Sequence, residues 1–265
     1  MAKVARVPLI AGNWKMNLDH LQAIAMVQKL DWTLKDASHD YGLAGSEVAV
    51  FPPFTDLRSV QNLIAADKLD IVYGAQDLSE HDSGAYTGEI SGAFLKALKC
   101  TYVLVGHSER RTLHNETDEQ LGRKVAAALK HGLVPVLCVG ETAADLETHG
   151  PSAVPVAQLR TALADVTGTP NIVIAYEPVW AIGSGQAATP EQAEQVASTL
   201  RATLAEHLGD EVADATRILY GGSVKSSNIA AFMRQPNVDG ALVGGASLDV
   251  TEFASIARFQ KHVGT

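Results

Sequence analysis

Short apolar runs rich in β-branched residues recur along the chain: VPLIAG from residue 7, EVAVF from 47, DIVYGA from 70, TYVLVG from 101, LVPVLCVG from 133, NIVIAYE from 171, RILYGG from 217 and DGALVGG from 239. They are nearly continuous in hydrophobicity rather than alternating, the pattern of parallel strands covered on both faces. Between them lie segments with helical spacing, among them DHLQAIAMVQKL, FTDLRSVQNLIAAD, SSNIAAFMRQ and TEFASIARFQ. Thr117-Asp118-Glu119-Gln120 predicts a capping box before LGRKVAAALKHG, with Gly132 as its stop. Thr189-Pro190-Glu191-Gln192 predicts a second one, with proline at the first helical position of a run through Glu206.

Eight strand–helix units in order, with no linker or break in composition, predict one (β/α)8 barrel domain over residues 1–265. A doubly wound open sheet is the structural alternative, because periodicity does not give strand order.

Composition narrows the partners. The formal net charge is −9 and no block of Lys or Arg interrupts it, which argues against nucleic acid or an anionic membrane surface. A small anionic substrate stays open, since a cleft focuses its own field. Two cysteines, Cys100 and Cys138, fit a reducing compartment and provide no disulfide framework. The N-terminus lacks the apolar core of a signal peptide and no run has the length of a membrane span, so a cytoplasmic protein is expected. The nine histidines are scattered and no H-E-x-x-H or Cys/His cluster occurs, so no metal is expected.

In a parallel barrel the functional groups sit where the strands end. After the first run come Asn13, Trp14 and Lys15; after the fourth, His107, Ser108 and Glu109; after the sixth, Glu177. Gly221, Gly222 and Ser223 follow the seventh, and Gly244 and Gly245 the eighth. Each alone is ordinary turn chemistry. Together they bring a cation, an imidazole, a carboxylate and two glycine loops to one rim. Backbone N–H groups approach a phosphate closely where no side chain intervenes, and barrels often bind phosphate on the loops after the last two strands. A phosphorylated metabolite is the expected ligand.

AGNWKMN at 11–17, GHSERR at 106–111, AYEPVWAIGSG at 175–185, YGGSV at 220–224 and VGGASL at 243–248 resemble the signature segments of the triosephosphate isomerase family. The resemblance runs from first strand to last. It implies interconversion of dihydroxyacetone phosphate and D-glyceraldehyde 3-phosphate through an enediol(ate), in glycolysis and gluconeogenesis, without a cofactor. This enzyme is itself a standard worked example of pKa tuning and lid closure, so the roles that follow are the family's. Glu177 is the implied base, His107 a neutral imidazole donating to the substrate oxygens, Lys15 the fixed cation and Asn13 a polar contact beside it. Ser223, Gly244 and Gly245 are implied phosphate contacts. Ser108 would hold the carboxylate in the open state, and Glu109 would partner Lys15.

By the same resemblance, Pro178-Val179-Trp180 forms one hinge and Gln186-Ala187-Ala188 the other, around a light lid that supplies the Gly183 amide as a donor. Ser184 and Gln186-Ala187 depart from the family's frequent threonine and lysine-threonine, which bears on lid motion rather than chemistry. QDLSEHDSGAYTGEIS at 76–91 resembles the family's dimerisation loop. Thr87 would reach the neighbouring subunit's site and Glu89 would pair with Arg110, giving a homodimer. Asp77 stands there in place of a common asparagine.

Two rivals differ in kind. Gly183-Ser184-Gly185-Gln186-Ala187-Ala188 fits G-x-G-x-x-A formally, but Pro178-Val179-Trp180 separate it from its strand, unlike a dinucleotide site. A non-catalytic phosphate-binding barrel would have no use for Lys15, His107 and Glu177 together.

Overall fold

The computed structural model describes residues 6–36, 45–182 and 187–262. Within them, β1 (Leu9–Asn13), β2 (Glu47–Phe51), β3 (Val72–Ala75), β4 (Tyr102–Val105), β5 (Val134–Val139), β6 (Val173–Tyr176), β7 (Arg217–Tyr220) and β8 (Gly240–Val243) run parallel in chain order. β8 returns to pair with β1, Leu9 opposite Gly240 and Gly12 opposite Val243. That closure selects the (β/α)8 barrel over the open sheet.

The outer layer holds α1 (His20–Asp36), α2 (Leu57–Asp67), α3 (Gly92–Ala97), α4 (Ser108–Leu113), α5 (Asp118–Lys130), α6 (Ala143–His149), α7 (Ala153–Ala162), α8 (Pro190–Leu208), α9 (Asp210–Ala215), α10 (Ile229–Met233) and α11 (Val250–Ala257). Several are one or two turns long, and SSNIAAFMRQ keeps only the five residues of α10 helical. At Thr189 both halves of the capping box form: Thr189 Oγ1 accepts from the Gln192 N–H at 3.2 Å, and Gln192 Oε1 accepts from the Thr189 N–H at 2.8 Å. At Thr117 only half forms. Thr117 Oγ1 accepts from the Gln120 N–H at 3.3 Å, but the Gln120 side chain donates to Glu80 Oε1 at 3.3 Å instead of turning back. A tertiary partner has displaced the local one.

Side chains alternate across each strand, and this parity sets the site. Leu9, Ala11, Ala49, Val136, Val173 and Leu219 belong to the apolar cluster that fills the lumen. Their neighbours Ile10, Val48, Leu137 and Ile174 pack outward with Leu30, Val125 and Leu200 of the helices. Below the lumen, Glu47, Tyr102 and Arg217 form a polar plug: Tyr102 Oη donates to Glu47 Oε1 at 2.8 Å, and Arg217 pairs with Glu47 Oε2 at 2.5 Å. Continued upward, the same parity carries Asn13, Gln76, Glu177, Gly221 and Gly244 over its top. Among the described residues no helix is long and apolar enough to cross a membrane.

Candidate active site

A cavity of about 330 Å³ opens at that end, lined by Asn13, Lys15, His107, Glu177, Ser223 and the glycines after β7 and β8. Residues more than 200 positions apart in the chain therefore share one wall.

Glu177 is 2 % exposed and His107 is 6 % exposed. Glu177 Oε1 lies 3.0 Å from His107 Nε2, and Glu177 Oε2 accepts the Ser108 backbone N–H at 2.9 Å. Ser108 thus holds the carboxylate through its main chain rather than its hydroxyl. Room for this arrangement depends on Gly140: a Cβ there would fall 1.7 Å from the Glu177 carbonyl oxygen.

His107 Nδ1 accepts the Glu109 N–H at 3.2 Å across the first turn of α4. A ring nitrogen that accepts carries no proton, so the ring's hydrogen is on Nε2, facing Glu177 and the cavity. Burial works against an imidazolium, whereas the Glu177 carboxylate favours it. In this arrangement the carboxylate prevails and holds the ring above its ordinary value of 6.5. Arg111 secures α4 by donating to the carbonyls of Gly106 at 2.9 Å and Cys138 at 3.0 Å and by pairing with Asp118.

Lys15 has φ +54°, a left-handed backbone that is uncommon outside glycine. Two side chains hold it there. Asn13 Oδ1 accepts the Lys15 N–H at 3.0 Å, and Gln76 Nε2 donates to the Lys15 carbonyl at 2.7 Å and to the Phe51 carbonyl at 2.8 Å. The Lys15 ammonium then pairs with Glu109 Oε1 at 2.5 Å on the cavity's edge.

The two glycine loops lie beside these groups: a Cβ at Gly244 would meet Lys15 Cε at 3.5 Å, and one at Gly221 would meet Glu177 Cγ at 2.9 Å. A Cβ at Gly245 would meet nothing within 4 Å, and its φ is not left-handed. Neither packing nor conformation demands glycine at Gly245, and the open space belongs to the cavity. Gly245 begins a short 3₁₀ turn, Gly245–Leu248, and a short extra helix after the eighth strand is a common phosphate-binding feature of barrels. Ser223 Oγ donates to the Ala181 carbonyl at 3.2 Å.

The segment expected to form the first hinge contains a 3₁₀ turn, Val179–Ala181. Trp180 Nε1 and Tyr176 Oη both donate to Glu141 Oε1, at 2.7 Å and 2.9 Å, and the Val179 N–H donates to the Glu141 carbonyl. Burial pushes the Glu141 carboxyl up, against these two hydrogen bonds. Beyond the expected lid, the Ala188 N–H donates to Tyr220 Oη at 3.2 Å. Gly183, Ser184, Gly185 and Gln186 lie outside the described residues, and with them the expected lid donor. Gln76, Glu141 and Tyr220 were not among the expected site residues. Gln76 and Glu141 immediately follow the third run and the fifth, so strand-end inspection extends to them; for Tyr220 no such signal exists, because it lies inside its strand.

Thr87 and Glu89 are exposed. Within the chain Arg110 pairs with Asp77 at 3.0 Å and with Glu116 at 2.7 Å, and among the described residues Glu89 makes no ion pair with it. Among the described residues, no group of His, Cys, Asp or Glu is arranged to hold a metal ion.

The sequence profile described as triosephosphate isomerase matches residues 8–260. A protein of Leifsonia xyli named triosephosphate isomerase is 75% identical over 258 residues, covering 97% of this chain and 99% of its own. Proteins of the same name from Streptomyces avermitilis and Mycobacterium tuberculosis are 57% and 54% identical, covering 97% and 96% of this chain and 98% and 97% of theirs. By its fold, its matched length and these identities, the chain belongs to the triosephosphate isomerase family.

Proposed function

We propose that the chain interconverts dihydroxyacetone phosphate and D-glyceraldehyde 3-phosphate as one barrel domain over residues 1–265, in the cytoplasm and within glycolysis and gluconeogenesis. The observation that carries the reading is the pair Glu177 and His107, 3.0 Å apart and facing one cavity with Lys15. A base, a hydrogen-bond donor and a cation directed at one small volume are what proton transfer next to a carbonyl requires.

Glu177 removes a proton from the carbon beside the carbonyl. The electron pair moves onto the carbonyl oxygen, and His107 Nε2–H and the Lys15 ammonium stabilise the charge that develops there. The proton of the adjacent hydroxyl passes to the former carbonyl oxygen, and Glu177 returns its proton to the neighbouring carbon as the other C–O bond becomes the carbonyl, so one hydrogen shifts between carbons and one between oxygens with no redox partner. Asn13 supports Lys15, and backbone N–H groups at Ser223, Gly244 and Gly245 receive the phosphate. The hydrogen bonds that Glu177 accepts from His107 and Ser108 describe a resting carboxylate, which must swing toward the substrate. As it leaves, its raising effect on His107 falls with distance and the neutral ring remains as donor. Gly183 is the lid's donor in this reading, and closure keeps water from the enediolate.

The active form is a homodimer. A second cavity of about 290 Å³ adjoins the first beside Lys15 and His107, rimmed by Met16 at 94% and Leu113 at 72% exposure. Large apolar side chains at a concave rim are an interaction signal, and the exposed tip of loop 76–91, carrying Thr87, is the element of a second copy that would fill it. Glu89 would there face Arg110 of the other chain.

The test is dihydroxyacetone phosphate formation from D-glyceraldehyde 3-phosphate by the purified protein without metal or nucleotide. A protein that binds phosphate but does not isomerise would favour a non-catalytic barrel.

A further inference from the structure

The loop of residues 76–91 has little backbone structure to give it a shape. Its neck is closed by one bond, from the Ser79 N–H to the Ile90 carbonyl at 2.8 Å. What spans its near limb is charge. Asp77, Glu80 and Asp82 each meet a cation of α5, and His131, the residue after it, also faces Asp82. Lys124 pairs with Asp77 at 2.7 Å, Arg123 pairs with Glu80, Lys130 pairs with Asp82, and His131 Nε2 lies 2.8 Å from Asp82 Oδ1.

The helix side of this contact is periodic. Positions 120, 123/124, 127 and 130/131 recur at three- and four-residue intervals, the spacing of one helical stripe. That stripe presents Gln120, Arg123, Lys124, Lys130 and His131 to the loop, and Gln120 also gives up its place in the capping box to reach Glu80. The root of the contact is buried: Lys124 is 3% exposed and Asp77 8%. Beyond it the tip carries local contacts: His81 stacks on Tyr86 with ring centroids 3.8 Å apart, and the Glu89 N–H donates to the Tyr86 carbonyl.

We infer that Glu80 and Asp82 are positioning residues, whose ion pairs to α5 hold loop 76–91 in its docking shape in the free chain before it meets a second copy. The inference rests on the homodimer reading above. Single exposed ion pairs contribute little, because side-chain entropy and solvent screening offset the attraction. The case differs when several pairs order one segment that otherwise pays its ordering entropy on association. A loop already ordered meets the neighbouring site with Thr87 in place.

The test compares wild type with Glu80→Gln/Asp82→Asn by sedimentation and by activity on dilution. These substitutions leave the buried Asp77–Lys124 pair untouched. At low salt the double variant's dimer dissociation constant is expected to rise about tenfold, as for loss of an ordered network rather than one pair. Its kcat per subunit at saturating protein concentration is expected to stay within about twofold, because the assembled site is unchanged. The wild-type constant should rise more steeply with salt than the variant's, since the exposed Glu80 and Asp82 pairs are screened. Exchanging the charges of one pair, Glu80→Arg with Arg123→Glu, should restore association, which a general loss of folding would not. A variant whose dissociation constant and salt dependence match wild type would overturn the inference while leaving the homodimer intact. An active wild-type monomer at micromolar concentration would instead overturn the homodimer reading and the inference with it.

Discussion

Glu177 Oε1 lies 3.0 Å from Nε2 of His107, and the other ring nitrogen accepts the Glu109 N–H at 3.2 Å. The two contacts act oppositely on the ring. The carboxylate raises the His107 pKa, whereas burial and the N–H aimed at Nδ1 favour the neutral form. Glu177→Gln removes the larger raising charge and leaves the smaller one of Glu109. Imidazole nitrogen NMR should then show His107 staying neutral, with its hydrogen on Nε2, to a lower pH than in wild type. An unchanged or higher titration midpoint would refute this account of the coupling.

The base and the phosphate cradle should separate kinetically. Glu177→Gln removes the proton acceptor but leaves the glycine loops, so kcat should fall by a factor of about 10³ or more with phosphate affinity little changed. Gly245→Glu places a carboxylate in the space that the structure leaves open at that position. Its effect should fall on KM and on competition by inorganic phosphate, with chemistry largely intact for what does bind. Equal loss of kcat in both variants would contradict the division of labour.

How much of this was legible beforehand depended on the range of the determining contacts. Strand identity is a local matter, and once β6 is buried on both faces, parity places Glu177 above Ala175 at the top of the lumen. Ladder closure between Leu9 and Gly240 is not local, which is why an open sheet remained possible until the pairing was seen. The same limit applies to side chains. Asp77 and Lys124 are 47 positions apart, and nothing in either segment predicts their pairing. At Thr117 only the N-cap half of the expected capping box forms, because Glu80, 40 positions from Gln120, competes for its amide.

Gln76 should act on catalysis through Lys15. Gln76→Leu keeps much of the volume but leaves the carbonyls of Lys15 and Phe51 without their shared donor, each at 2.7–2.8 Å in the native chain. Leaving a buried acceptor unsatisfied costs about 1–3 kcal/mol, and the left-handed Lys15 is freed to relax. Urea unfolding should show a stability loss of that order, about 1–3 kcal/mol. KM should rise as the ammonium leaves its place. Native KM in a destabilised variant would show that Asn13 alone suffices to orient the lysine.

Asp77 offers a test of buried charge beneath the loop. Burial pushes its carboxyl above the ordinary value of 3.8, outweighing Lys124 and Arg110, while Glu116 adds to the rise. A carboxyl whose folded pKa is raised binds its proton more tightly in the folded state than in the unfolded one. Its contribution to stability therefore falls as pH rises from about 3.8 through the folded value, and the penalty persists above it. Glu116 behaves oppositely. Burial raises its pKa, but Lys124 and Arg110 outweigh that and hold it below 4.5, so its stabilisation is lost as pH falls through the folded value. Asp77→Asn deletes the first effect and keeps the second. Urea unfolding at pH 4 and pH 7 should thus give a larger gain in stability toward neutrality in the variant than in wild type, whatever its absolute stability at either pH. A smaller gain would mean that the pairing with Lys124 and Arg110 outweighs the desolvation of the carboxylate.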